Sequence, residues 1–88
     1  MAAEVSAFTQ LLLDFSEDLT SDDLKNMKFA LQDHLQAREL EEATKGVDIF
    51  SLLRKRNLLG ADNPNLLKSV LATIKRFDLV EKLSAFGM

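Results

Sequence analysis

Pro64 is the only proline in 88 residues, and Gly46, Gly60 and Gly87 are the only glycines. A chain with so few backbone breakers cannot form many short strands joined by tight turns, because those turns need residues tolerant of positive φ. Apolar residues recur instead at helical spacing. The chain also lacks cysteine, which excludes a disulfide scaffold, a cysteine zinc site and a thiol nucleophile. A domain this small buries only about 60–65% of the surface its unfolded chain exposes. Tight helix packing must therefore supply its stability. The expectation is one all-α domain over residues 1–88, a compact antiparallel six-helix bundle with short connections.

The stripes locate the helices. Val5, Phe8, Leu12 and Phe15 give a first helix over about Ala3 to Phe15. Thr20 reads as the N-cap of a second, with Asp23 at the third helical position and Leu19 and Leu24 as a hydrophobic staple. Leu24, Met27, Leu31 and Leu35 carry this helix to about Leu35. A short polar helix is expected over Arg38 to Ala43, and a fourth, apolar on most sides and therefore central, over Val47 to Asn57. After a loop at Gly60–Asn63, Asn63-Pro64 reads as N-cap and first helical position of a fifth helix. Leu66, Leu67, Val70, Leu71 and Ile74 line it. Asp78-Leu79-Val80-Glu81 has capping-box spacing and opens a sixth helix bearing Leu79, Leu83 and Phe86.

Charge is unevenly spread. Up to Lys45 there are ten acids and four bases, a net of −6; from Gly46 there are four acids and seven bases, a net of +3. Acidic and basic ends can pair between copies of a molecule, or folding can intermix them. No apolar run approaches the roughly 20 residues of a membrane span, and the first residues lack the basic and apolar regions of a signal peptide. A cytoplasmic protein is expected, with nuclear residence also open.

Catalysis finds little support. His34 is the lone histidine, no G-x-S-x-G elbow accompanies it, and it fits a helix end. The pairs Asp22/Asp23 and Glu41/Glu42 are adjacent in sequence, so on a helix their side chains diverge by about 100°. No EF-hand, phosphate-binding glycine loop or histidine metal spacing occurs. No enzyme activity, cofactor or metal is expected. Arg54-Lys55-Arg56 is a candidate phosphate-contacting cluster, but three bases near a helix C-terminus in an acidic chain are better read as a solvated helix end.

Phe29 is more informative. On a helical wheel with Leu24 at 0°, Met27, Leu31 and Leu35 lie within about 60° of it, whereas Phe29 lies about 140° away. Either a second element covers Phe29 or it is a surface aromatic open to a partner. Arg76-Phe77-Asp78-Leu79 falls where the fifth helix meets the sixth, with Arg76 within chain reach of Asp78. Leu79 and Phe77 both have a plain core assignment there.

These residues carry a resemblance that covers nearly the whole chain. Arg76-Phe77-Asp78-Leu79 matches the R-x-D-L motif of the death effector domains, a branch of the six-helix death-fold superfamily. An acid early in the second helix followed by Leu24 to Phe29, the segment Gly46 to Leu53, and Leu71 to Leu79 also resemble that family, most closely its adaptor members. The resemblance implies a surface charge triad of Asp23, Arg76 and Asp78. It further implies a protein-binding surface with Phe29 at its centre, to which Lys28, Ala30 and Leu79 are assigned. In the family this aromatic enters a groove on the first and fourth helices of a partner domain. Ala30 stands where Leu is frequent, which implies a smaller patch. The implied function is non-enzymatic homotypic assembly in apoptotic or inflammatory signalling. The implied partners are death effector domains of adaptors, procaspases or regulators, with self-assembly into oligomers or filaments. The alternatives are a regulator that caps such chains and a nucleic-acid-binding member using Arg54, Lys55 and Arg56. Neither nucleic acid nor membrane insertion is expected as the main mode.

Overall fold

Six helices follow one another in a computed structural model that describes residues 5–86. They are α1 (Ala7–Asp18), α2 (Ser21–Ala30), α3 (Ala37–Glu42), α4 (Gly46–Lys55), α5 (Asn65–Thr73) and α6 (Phe77–Phe86). Helix α1 packs on α4 and α6, and α5 packs on α6 and α2. A single apolar core runs through all six, from Phe8, Leu12 and Phe15 on α1 to Leu79 and Leu83 on α6. None of the described helices is long and apolar enough to cross a membrane.

Local chemistry sets the helix ends. Helix α1 begins after Ser6, whose hydroxyl accepts the Thr9 N–H at 3.1 Å. Val5 precedes this cap and is exposed, so it does not join the expected stripe. The expected start at Ala3 lies outside the described residues. Thr20 forms the expected capping box: its hydroxyl accepts from the Asp23 N–H, and the Asp23 carboxylate accepts from the Thr20 N–H. Helix α2 stops at Ala30, five residues before the expected end. Turns at 31–34 keep the i, i+4 spacing, with the Leu35 N–H donating to the Leu31 carbonyl at 3.0 Å. Leu31 and Leu35 are therefore still buried.

The ends of α4 and α5 are built alike. The Leu58 N–H donates to the Leu53 carbonyl and the Asn57 N–H to that of Arg54; likewise Arg76 donates to Leu71 and Lys75 to Ala72. Both are Schellman motifs, which need a left-handed residue just past the helix. Asn57 (φ 60°) and Lys75 (φ 65°) supply it. Asn tolerates this region, whereas for Lys it costs about 1 kcal/mol or more. Two expected caps shift. Asn63 pairs with Gly60 across the loop, and Pro64 takes the cap position of α5. Asp78 lies inside the first turn of α6, and its carboxylate turns to Arg76 instead of capping the helix with Glu81.

Gly46 opens α4 where it touches α1. A Cβ there would lie 3.1 Å from the Ser16 Cα and 3.0 Å from a Leu19 methyl. The closeness lets the Ser16 hydroxyl accept the Val47 N–H at 3.1 Å. A side chain of α1 thus satisfies one of the free donors at the start of α4. Asp48 supplies further acceptors, taking the Thr44 and Lys45 N–H groups and the Thr44 hydroxyl on one oxygen. Those backbone bonds hold its carboxyl below the usual aspartate range.

Candidate interaction surfaces and charge cluster

Helix α2 turns Met27 into the core and Phe29 to solvent. Met27 is fully buried, whereas Phe29 is 72% exposed. Of the two alternatives for the off-stripe aromatic, the surface one holds: no second element among the described residues covers it. Lys28 is half-buried, and Ala30 packs partly against the core. Phe29 stands on a ridge between two grooves. One groove runs toward α5 past Leu66, Val70 and Ile74; the other runs toward α3 past Ala37 and Leu40.

Leu79 does not belong to this surface. It is 0% exposed, under the α5–α6 junction, and cannot meet a partner without unfolding. The assignment to partner binding is corrected to core packing. Phe77 departs in the opposite sense: it is 59% exposed at the start of α6. The residues alternate this way because a helix places positions two apart about 160° from each other when measured around its axis.

A second surface lies between α1 and α4. Thr9, Leu12, Leu13, Val47, Phe50 and Arg54 line a shallow cavity of about 140 Å³. Leu13 is its exposed apolar edge. Arg54 lies over the Phe8 ring at 5.8 Å and donates to the Thr9 hydroxyl. Arg56 instead pairs with Glu39 at 2.6 Å, which holds the Glu39 carboxyl below its usual range. The basic cluster is thus divided. Two of its three side chains are engaged within the domain, Arg54 with α1 and Arg56 with α3, which disfavours a shared phosphate-binding patch.

The expected triad forms and is larger than expected. Arg76 Nε and Nη2 donate to the two Asp78 oxygens at 3.2 and 3.1 Å. Nη1 donates to Asp23. Asp18, at the end of α1, accepts from Nη2 at 2.8 Å, and its main-chain carbonyl faces Nη1 at 3.4 Å. Every one of the five guanidinium N–H donors is thereby engaged. Arg76 is 19% exposed and Asp23 14%, so that pair is only partly screened by water, whereas Asp18 and Asp78 are half exposed. Hydrogen bonding to Asp78, and then to Asp23, raises the Arg76 pKa against the opposing effect of burial. Burial works against the Asp23 carboxylate, but the Thr20 N–H and Arg76 outweigh it and its pKa is lowered. Arg76 likewise lowers that of Asp78. Asp18 was missed in the sequence because it precedes Arg76 of the R-x-D-L motif by 58 positions. Its one local signal is an acid at a helix C-terminus, where the dipole disfavours it unless a cation is near.

Known proteins decide what this arrangement belongs to. The family model described as "Death effector domain" matches residues 8–88. The chain belongs to the death effector domain family. It is 39% identical over 79 residues to the FAS-associated death domain protein of Bos taurus, an alignment covering 90% of this chain and 38% of that protein. It is 35% identical over 74 residues to caspase-8 of Rattus norvegicus, covering 84% of this chain and 15% of that protein. It is 29% identical over 76 residues to the astrocytic phosphoprotein PEA-15 of Homo sapiens, covering 86% of this chain and 58% of that protein. The death effector domain is thus the part of these longer proteins that the chain shares. As a member of the family, it is a homotypic interaction module.

Proposed function

We propose that this death effector domain docks head to tail, the Phe29 ridge of one domain entering the α1/α4 cavity of the next. The observation that carries this is the exposure of Phe29, a large aromatic held in solvent by a helix whose opposite face is in the core. Such residues are the common anchors of binding energy. The two surfaces lie on different helices, so each contact leaves one free face on either side. A heterologous contact of this kind propagates into oligomers or filaments rather than closing as a two-fold dimer. Both faces being present favours an assembling domain over one that caps chains. The partners are other death effector domains, in adaptors, procaspases or regulators, and copies of this chain. Recruitment then acts by proximity in the cytoplasm, without chemistry by this domain.

Phe29→Asp tests the reading. It is expected to preserve helicity by circular dichroism and to weaken self-association by about 30-fold or more in light scattering. Unchanged association would remove Phe29 from the interface.

A further inference from the structure

Asp18 sits outside the R-x-D-L motif yet occupies a pivotal place. It is the last residue of α1, and the link to α2 is only Leu19 and Thr20. Asp18 on one side of this link and Asp23 on the other both bind Arg76. One guanidinium therefore pinches the α1–α2 corner, while Asp78 ties that corner to the start of α6. The two arms of the corner carry the two docking faces. Helix α1 contributes Thr9, Leu12 and Leu13 to the cavity wall, and α2 carries Phe29. Leu19 is the buried apolar residue of the link, so Asp18 and Asp23 supply its polar restraint.

We infer that Asp18 is a positioning residue that, through Arg76, fixes the angle between the cavity wall on α1 and the Phe29 ridge on α2. This deepens the docking mode proposed above and rests on it. A single docking event uses one face of each copy and tolerates a small change in that angle. Growth of a chain uses both faces of every copy, so the same change accumulates from copy to copy. Asp18 therefore controls propagation between copies of this chain more than the strength of one contact.

The test separates the two quantities. A donor-only copy (Leu13→Asp) is titrated with an acceptor-only copy (Phe29→Asp), and binary affinity is read by fluorescence anisotropy. Asp18→Ala is then placed in the donor-only copy, and separately in the otherwise unaltered chain, whose oligomer growth is followed by light scattering. Binary affinity is expected to hold within about twofold, while the concentration needed for growth rises about fivefold or more, the lower range of coupling between sites. Equal loss in both measurements, or no change in growth, would overturn the coupling role. Failure of the one-faced pair with Asp18 intact to bind at all would overturn the docking mode, and this inference with it. Should Asp18→Ala lose helicity, Asp18→Ser, whose side chain is too short to reach Arg76 as the carboxylate does, is carried through the same pair of measurements and judged by the same outcomes.

Discussion

The two faces of this domain place the same residue type in opposite situations. On the α1/α4 side, Phe50 lines the cavity from beneath and is buried. Phe8 meets Phe86 with ring centroids 5.5 Å apart and lies under Arg54. On the α2 side, Phe29 projects from a helix and is held by little beyond its own backbone. The cavity is a seam between packed helices: its edge at Leu13 is exposed, but its floor of Leu12 and Phe50 cannot be altered without altering the core. The ridge is an addition to a helix that would fold without it. In the proposed docking mode, the receiving face is thereby tied to stability, and the inserting face is left free to vary.

The largest expected effect breaks this contrast at its strong end. Phe50→Ala removes a core ring and is expected to cost about 3–5 kcal/mol, a large part of the stability of so small a domain. Phe29→Ala is expected to change stability by no more than about 0.5 kcal/mol, as exposed substitutions usually do. Urea denaturation of the two variants measures both. Equal losses would mean that Phe29 is as much a part of the packing as Phe50.

Arg76 lies between these extremes, since it braces the fold and, in the proposed docking mode, orients the two faces. Arg76→Ala leaves the partly buried Asp23 without its cation, and a stability loss of about 1–2 kcal/mol is expected, below that of a fully buried pair. Binding is expected to fall by more than that, measured as an isotherm beside the denaturation curve. An isotherm identical to that of the unaltered chain would restrict Arg76 to a structural role.

Acid adds an independent probe of the same cluster. Asp23 and Asp78 have lowered native pKa values, as do Glu39 and Asp48 outside the cluster. The unfolded chain therefore binds more protons in acid than the native one. The resulting stability is complete above the ordinary carboxylate value of about 4 and is lost as pH falls through the lowered native values. Melting temperature is expected to be flat above about pH 5 and to fall below about pH 4. Arg76→Ala is expected to shallow that fall by removing most of the Asp78 share and reducing that of Asp23, which keeps its Thr20 hydrogen bonds, while leaving those of Glu39 and Asp48. An unchanged acid slope would show that the cluster adds nothing to stability.

Periodicity made six helices and most of the core legible, because burial follows the side-chain repeat even where the backbone departs from a regular helix. Leu31 and Leu35 are buried at helical spacing although α2 has already ended. The same logic exposed Phe29. What escaped depends on partners far apart in sequence or on competition between nearby ones. Asp18 joins Arg76 across 58 positions, which no local pattern records. Asp78 has capping-box spacing, but the guanidinium two residues away is a stronger partner for its carboxylate than backbone N–H groups. Leu79 followed the motif to the binding surface, whereas its helix face puts it inside.

The smallest effect concerns the residue that launches Arg76. Lys75 holds a left-handed conformation and its side chain borders the groove beside Phe29. Strain at such a position is often associated with function. Here the Schellman motif gives it a sufficient structural cause: the turn must reverse at once to bring Arg76 back over the ends of α1 and α2. Lys75→Gly relieves about 1 kcal/mol of backbone cost but adds freedom to the unfolded chain, so a net gain of about 0.5 kcal/mol is expected. For a domain of this size that is roughly 3 °C in melting temperature. Lys75 is an exposed lysine at the rim of the groove, where truncation usually costs little, so association is expected to hold within about twofold. A gain in stability coupled to a large loss of association would instead make Lys75 part of the ridge, and would extend the inserting face from α2 onto the α5–α6 turn.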